Sequence, residues 1–197
     1  MTRAKLLVTG FGPFPGVPEN PTDALMRSLA VEPPETFGVG AIRAVVLPTD
    51  YRRSWAKLRR IYSSFAPDIV VHFGLSVRTQ AIHLERAGRN AVDASKADAG
   101  GYAPASGRLF RQGPDILAST FPAEAILSHL TQAGLPAALS EDAGEYVCNA
   151  TLYRSLRAAP AGRIVGLVHV PPASHLAKDR LITAARIILA GALGRSP

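Results

Sequence analysis

Sulfur is scarce in this 197-residue chain, which carries a single cysteine, Cys148, and two methionines. One cysteine excludes an intramolecular disulfide framework and any CxxC metal or redox centre, and it fits a reducing compartment. Long apolar runs are missing as well. Met1 to Lys5 leads straight into Leu6-Leu7-Val8-Thr9-Gly10, too short a stretch for a signal peptide or a membrane span. The expectation is a cytoplasmic protein without a membrane partner. No GxxxxGK[ST], GxSxG or HExxH occurs, so the common phosphate-loop, serine-hydrolase and zinc-peptidase signatures are excluded. Internal repeats, low-complexity tracts and linkers are also absent, which leaves one domain spanning residues 1–197.

Acidic residues are outnumbered, 15 against 22 Lys and Arg, for a net charge of +7. A balance of this kind marks some nucleic-acid binders, so the placement of the charges matters. The one cluster, Arg52, Arg53, Lys57, Arg59 and Arg60, shares its segment with Trp55, Leu58 and Ile61, the pattern of an amphipathic helix with a solvated basic face. No nucleic-acid partner is expected from it.

Glycine and proline are plentiful, 17 and 16 residues, and they punctuate short apolar runs that alternate with helix-like stretches. Strands are expected at 5–9, 40–47, 68–74, 137–140 and 163–170, and helices at 21–30, 50–65, 123–133, 145–158 and 175–192. Asn20-Pro21 is a strong helix start, because Asn caps free N–H groups and Pro at the first position gives up no needed donor. Alternation of this kind implies a single three-layer α/β/α domain with a mostly parallel open sheet. Functional residues then belong beyond the carboxyl ends of the strands, at 10–16, 48–51, 74–89, 141–148 and 169–172. Residues 89–113 lack a convincing period and read as a long surface excursion or flap.

The turn Gly10-Phe11-Gly12-Pro13-Phe14-Pro15-Gly16 is spaced GxGxxxG, and its prolines remove donors that a dinucleotide pyrophosphate needs. Phe11 and Phe14 are either core residues or the apolar walls of a small pocket. Cys148 precedes a helical stretch. A thiol there meets the positive end of the helix dipole and free N–H groups suited to an oxyanion, although a lone cysteine is more often a small core hydrophobe. A nucleophilic cysteine needs a base, and His169 closes the run Ile164 to Val168. His72 reads as a core histidine and His129 as a helix-surface one, while His83 and His175 are weaker candidates. Glu85 is a candidate to orient the imidazole, or else pairs on the surface with Arg86 or Arg89.

Four blocks in order carry a resemblance: Gly10-Phe11-Gly12-Pro13-Phe14 with Asn20-Pro21; Pro67-Asp68 through Gly74 to Glu85-Arg86; Ala143-Gly144-Glu145-Tyr146-Val147-Cys148-Asn149; and Val168-His169-Val170-Pro171. Together they closely resemble the pyroglutamyl peptidase I family of cytosolic cysteine peptidases, over nearly the whole chain. The resemblance implies a phosphorylase/hydrolase-like α/β/α fold and removal of N-terminal pyroglutamyl residues from peptides without metal or cofactor. It also implies a homo-oligomer, dimer or tetramer. Carried over, the nucleophile is Cys148, the base and acid His169, and the orienting carboxylate Glu85. The substrate pocket takes Phe11, Phe14, Leu75, Tyr146 and Val147. One departure stands out: the tenth residue after Glu85, an Arg in many bacterial members, is Ser95. Lys96, Arg86, Arg89 or backbone N–H groups near Cys148 are then the alternatives for polarising the scissile carbonyl. Two other classes remain compatible with the residues alone, a nucleoside phosphorylase or hydrolase and a non-catalytic basic binding protein.

Overall fold

The computed structural model describes residues 3–195. Eight strands and five α-helices follow in the order β1 (Lys5–Phe11), α1 (Pro21–Leu29), β2 (Ala41–Leu47), α2 (Tyr51–Phe65), β3 (Ile69–Leu75), β4 (Ile82–Glu85), β5 (Ala87–Arg89), β6 (Ile116–Ala118), α3 (Ala123–Gln132), β7 (Ala137–Ser140), α4 (Val147–Ala158), β8 (Ile164–Val170) and α5 (Lys178–Ala192). Six strands form one sheet in the order β2-β1-β3-β8-β4-β7, and β5 and β6 form a separate antiparallel ribbon.

Each predicted helix is present within a few residues of its expected bounds. At α1 the Asn20 side chain accepts from the Thr22 amide at 3.1 Å, Pro21 opens the helix, and Leu25, Met26 and Leu29 bury one face. At α2 Asp50 accepts from the amides of Arg52 and Arg53 at 2.8 and 2.7 Å. Tyr51, Ser54, Leu58 and Phe65 face inward, while Arg52, Arg53, Lys57, Arg59 and Arg60 are exposed on the opposite side. None of the five α-helices is long and apolar enough to cross a membrane.

The two faces of the sheet separate two buried clusters, which makes the fold three-layered. Leu25, Met26 and Leu29 of α1, Ile126 and Leu130 of α3 and the inner residues of α5 pack with Val8, Val71 and Val168 on one side. Leu58 of α2 and Val147, Ala150 and Leu152 of α4 pack with Leu7, Val70 and Leu167 on the other.

Strands β2, β1, β3 and β8 are parallel, as the apolar runs imply, but β4 is antiparallel to β8 and parallel to β7. This corrects the placement of residues 141–148 beyond the carboxyl end of a parallel strand. Strand β7 runs away from that edge, and the loop after it returns the chain to the start of α4. Strand β4 follows β3 after a short turn, and Ile82-His83-Leu84-Glu85 lacks the apolar run that marks the other strands of the main sheet in the sequence.

Residues 89–113 are no free flap. Val92, Asn90 and Asp98 are buried, and the segment is tied down by hydrogen bonds that the Asp93 N–H donates to the Glu145 carbonyl at 2.8 Å and the Ala99 N–H to the Thr49 carbonyl at 2.9 Å. The Asn149 side chain holds its base, accepting from the Arg89 amide at 2.8 Å and donating to the carbonyls of Arg89 and Ala91 at 2.9 and 2.8 Å.

Candidate active site

Strand order reverses at β1, with β2 on one side and β3 on the other, and the crevice at such a switch point is where open α/β sheets place their ligands. Beside it, the register of β3 and β8 sets Gly74 opposite His169. A Cβ added to Gly74 would stand 2.8 Å from Cys148 Sγ and 3.2 Å from His169 Nε2. The bare Cα of Gly74 is therefore what lets thiol and imidazole meet above the strand. Glycine inside a buried strand is the sequence signal for such a close approach, and the sequence reading passed over it.

On the other side of β8, antiparallel pairing sets Glu85 opposite Leu167, diagonal to His169 on the same face. Across that diagonal His169 Nδ1 lies 2.7 Å from Glu85 Oε1. Glu85 is fully buried, and its Oε2 has no hydrogen-bond partner among the described residues. A buried carboxylate so placed is stabilised chiefly by a proton on the imidazole beside it. Burial works against the imidazolium of His169, but hydrogen bonds to Cys148 and Glu85 and their negative charges outweigh it, and the imidazole is pushed up to about 10.

Cys148 is the second residue of α4 and is partly exposed. No side chain caps that helix, which leaves the N–H groups of its first turn, where Cys148 sits, without a side-chain capping partner.

An aromatic wall stands at the start of α4. Phe14 and Tyr146 lie with ring centroids 6.4 Å apart, and Tyr51 meets Tyr146 edge-on at 5.8 Å and Tyr102 at 6.4 Å. Burial raises the phenols of Tyr51 and Tyr146, which stay neutral. Tyr51 and Tyr102 were not singled out in the sequence, since residues far apart in the chain form this wall. Phe11 is buried at 1% exposure in the cluster that holds Leu47 and Val147, whereas Phe14 is only partly buried beside Tyr146. Val147 is fully buried as the first residue of α4, and Leu75 is half-buried at the end of β3.

The other histidines fall elsewhere. His72 is buried between Thr9 Oγ1 at 2.7 Å and Ser155 Oγ at 3.0 Å, and burial pushes it down to about 3, so it is a neutral structural link. His83 bonds Thr79 at 2.9 Å. Ser95 binds Asp93, with its hydroxyl 2.6 Å from Asp93 Oδ1. Arg86 pairs with Glu141 at 2.9 Å and Arg89 with Asp142 at 3.7 Å, whereas the Lys96 ammonium lies 4.4 Å from the centre of the Tyr146 ring. Of the three cations considered, Lys96 alone adjoins the wall. No cluster of three His, Cys, Asp or Glu suited to a metal occurs among the described residues.

Comparison with known proteins gives a consistent picture. The chain is 36% identical over 179 residues to a pyrrolidone-carboxylate peptidase of Thermococcus onnurineus, covering 89% of this chain and 88% of that one. It is 34% identical over 173 residues to the enzyme of that name from Pyrococcus furiosus, covering 85% and 80%. Among solved structures, pyrrolidone carboxyl peptidase from Thermus thermophilus superposes with a TM-score of 0.85 at 32% identity, covering 94% of this chain and 99% of that one. That from Thermococcus litoralis gives 0.87 at 27% identity, covering 97% and 94%. The family model described as pyroglutamyl peptidase matches residues 4–184, and the chain belongs to that family of cysteine-type omega peptidases.

Proposed function

We propose that the protein cleaves the amide bond after an N-terminal pyroglutamyl residue of peptides through a thioester on Cys148. The observation that carries this reading is the convergence of Cys148 Sγ and His169 Nε2 on bare Gly74, with Glu85 holding Nδ1 at 2.7 Å.

In the resting site the proton is on His169 and the sulfur attacks as thiolate. Sγ adds to the pyroglutamyl carbonyl carbon, and the oxygen takes up negative charge against the uncapped N–H groups at the start of α4. The C–N bond then breaks as His169 Nε2 gives its proton to the leaving nitrogen, and the shortened peptide departs with a free amine. Water next loses a proton to Nε2 as it adds to the thioester carbonyl. The C–S bond breaks, pyroglutamate leaves, and thiolate and imidazolium are restored. Glu85 holds the ring in one tautomer and stabilises its charge throughout.

The pyroglutamyl ring is small, flat and uncharged. Phe14 and Tyr146 serve as its apolar walls, Phe11 and Val147 support them from below, and the Leu75 backbone offers the lactam contact. A free N-terminal ammonium entering the same slot loses its hydration without gaining a partner, which excludes ordinary peptides.

The test is release of a fluorescent amine from its pyroglutamyl amide by the wild-type enzyme, by Cys148→Ala and by enzyme treated with iodoacetamide. Turnover is expected from the first and none from the others. Full activity in the alanine variant would overturn the assignment of the nucleophile.

A further inference from the structure

Helix α4 carries Cys148 at its second position, and among the described residues its side chains hydrogen-bond to the main sheet at two places. One is the meeting of Cys148 with His169. The other lies two helical turns further on, where Ser155 Oγ stands 3.0 Å from His72 Nε2. The remaining side-chain bonds of α4 run elsewhere, from Asn149 to Arg89 and Ala91, from Tyr153 to Pro114 and from Arg154 to Tyr51.

This second tie is buried and complete. Thr9, His72 and Ser155 are each no more than 1% exposed. The register sets Thr9 of β1 opposite His72 of β3, Thr9 Oγ1 lies 2.7 Å from His72 Nδ1, and the Tyr62 hydroxyl of α2 donates to Ser155 Oγ at 2.7 Å. Both ring nitrogens are thus engaged. Around them the contact is apolar, with Leu7, Val70 and Leu167 of the sheet against Val147, Ala150 and Leu152 of α4. Apolar contact is non-directional and lets packed surfaces slide, whereas hydrogen bonds weaken steeply when displaced. A satisfied polar network inside such a layer specifies one seating of the helix.

Strand side chains alternate, so His72 and Gly74 share with Val70 the face of β3 that α4 covers, while Val71 and Phe73 pack on the other. Ser155 meets the strand at His72, and Cys148 meets it at Gly74. We infer that His72 and Ser155 form a strut that fixes the seat of α4 on β3 and thereby holds Cys148 in place against His169. Both are positioning residues, and the inference rests on the reading of Cys148 and His169 as the reacting pair. With the strut cut, a shift of the helix is carried along its axis to the thiol, and misplacement by about 1 Å costs about 10²-fold in rate.

The experiment uses two pairs of variants that differ in the tie to the sheet. Ser155→Ala and Tyr62→Phe both remove the Tyr62–Ser155 bond, and only Ser155→Ala also frees α4 from His72. His72→Gln places its amide where Nε2 stands and keeps the Ser155 side, whereas His72→Asn keeps the Thr9 side. On the fluorescent amide, kcat/KM is expected to fall by about tenfold or more in Ser155→Ala and His72→Asn, and to stay within about threefold of wild type in Tyr62→Phe and His72→Gln. The loss belongs to kcat rather than KM, because the Tyr146 hydroxyl is held separately by the Ala97 carbonyl at 3.1 Å. Alkylation of Cys148 by iodoacetamide at pH 6, followed by mass, is expected to slow by about threefold or more in Ser155→Ala and His72→Asn alone. A merely structural role makes His72→Gln and His72→Asn alike, since each keeps one of the two bonds of the ring. Equal kcat/KM in those two variants, or Ser155→Ala within about threefold of Tyr62→Phe, overturns the inference. Ser155→Ala only deletes a hydroxyl, so that second comparison stands even if the His72 variants do not fold. Wild type that leaves the amide uncleaved, with alkylation still slowed in Ser155→Ala, overturns the pyroglutamyl reading and supports the strut.

Discussion

Gly74→Ala puts one methyl group at the point where the proposed machinery is tightest. The added Cβ lies 2.8 Å from Cys148 Sγ and 3.0 and 3.2 Å from His169 Cδ2 and Nε2. Ordinary carbon contacts begin near 3.5 Å, so sulfur and ring must together yield roughly 0.6–1 Å. The backbone at Gly74 is not in the left-handed region, and alanine adopts it without strain. The cost therefore falls on the geometry of the pair. Overpacking of this size destabilises by about 1–3 kcal/mol, and misplacement of a reacting group by about 1 Å costs about 10²-fold in rate. Steady-state release of the fluorescent amine is expected to show kcat/KM lower by about 10²-fold, equivalent to about 2.7 kcal/mol of transition-state stabilisation, with the protein still folded at 25 °C. Gly107→Ala, whose added Cβ finds its nearest neighbour at 3.7 Å, is the matched control and is expected to retain wild-type activity. A Gly74→Ala enzyme within twofold of wild type would refute the placement of thiol and imidazole above β3.

Raising the pH through about 10 removes the proton from His169, and the basic limb of kcat/KM is expected there. Glu85→Gln takes away one of the charges that hold the proton, so its limb should move to lower pH and its kcat/KM fall by about 10²-fold or more, yet less than in Cys148→Ala; an unmoved limb would disprove the Glu85 role. The same raised imidazole contributes stability that is complete below its unfolded value of about 6.5 and is lost as the pH rises through about 10, which denaturant titrations across that window measure. His72 has the opposite sign: held neutral by burial and pushed down to about 3, it contributes stability above about 6.5 that is lost as the pH falls toward 3. His72→Ala leaves Thr9 and Ser155 without their shared partner and is expected to cost about 2–4 kcal/mol by urea unfolding, with wild-type stability counting against the buried link.

The helices, the four parallel strands and the chemical candidates were legible in the chain because each has a local cause. Asn20 and Asp50 cap α1 and α2 through bonds to amides two or three residues on, and Leu25, Met26 and Leu29 repeat with the period of a helix. Cys148 and His169 stand at ends of elements that their own neighbours define. Strand β4 and the turn of direction it imposes were not legible, because Ile82-His83-Leu84-Glu85 forms no apolar run and the residues it meets on β8 lie far off in the chain, 84 residues for Glu85 and His169. The ordering of residues 89–113 escaped for the same reason, since Asn149 and Glu145 supply bonds that the segment itself does not encode. Of the aromatic wall, Phe14 and Tyr146 were named from the family resemblance, whereas Tyr51 and Tyr102, which join them from two further stretches, were not.

The residue types by themselves determined that Cys148 is the one thiol a cysteine mechanism could use, and that no metal-binding signature competes with it. Tertiary structure decided whether the histidine and carboxylate named in advance, His169 and Glu85, stand together near it. Hydrogen bonds act over about 3 Å: the antiparallel register of β4 on β8 brings Glu85 to 2.7 Å from His169, and the missing side chain of Gly74 leaves the space that Cys148 Sγ and His169 Nε2 share.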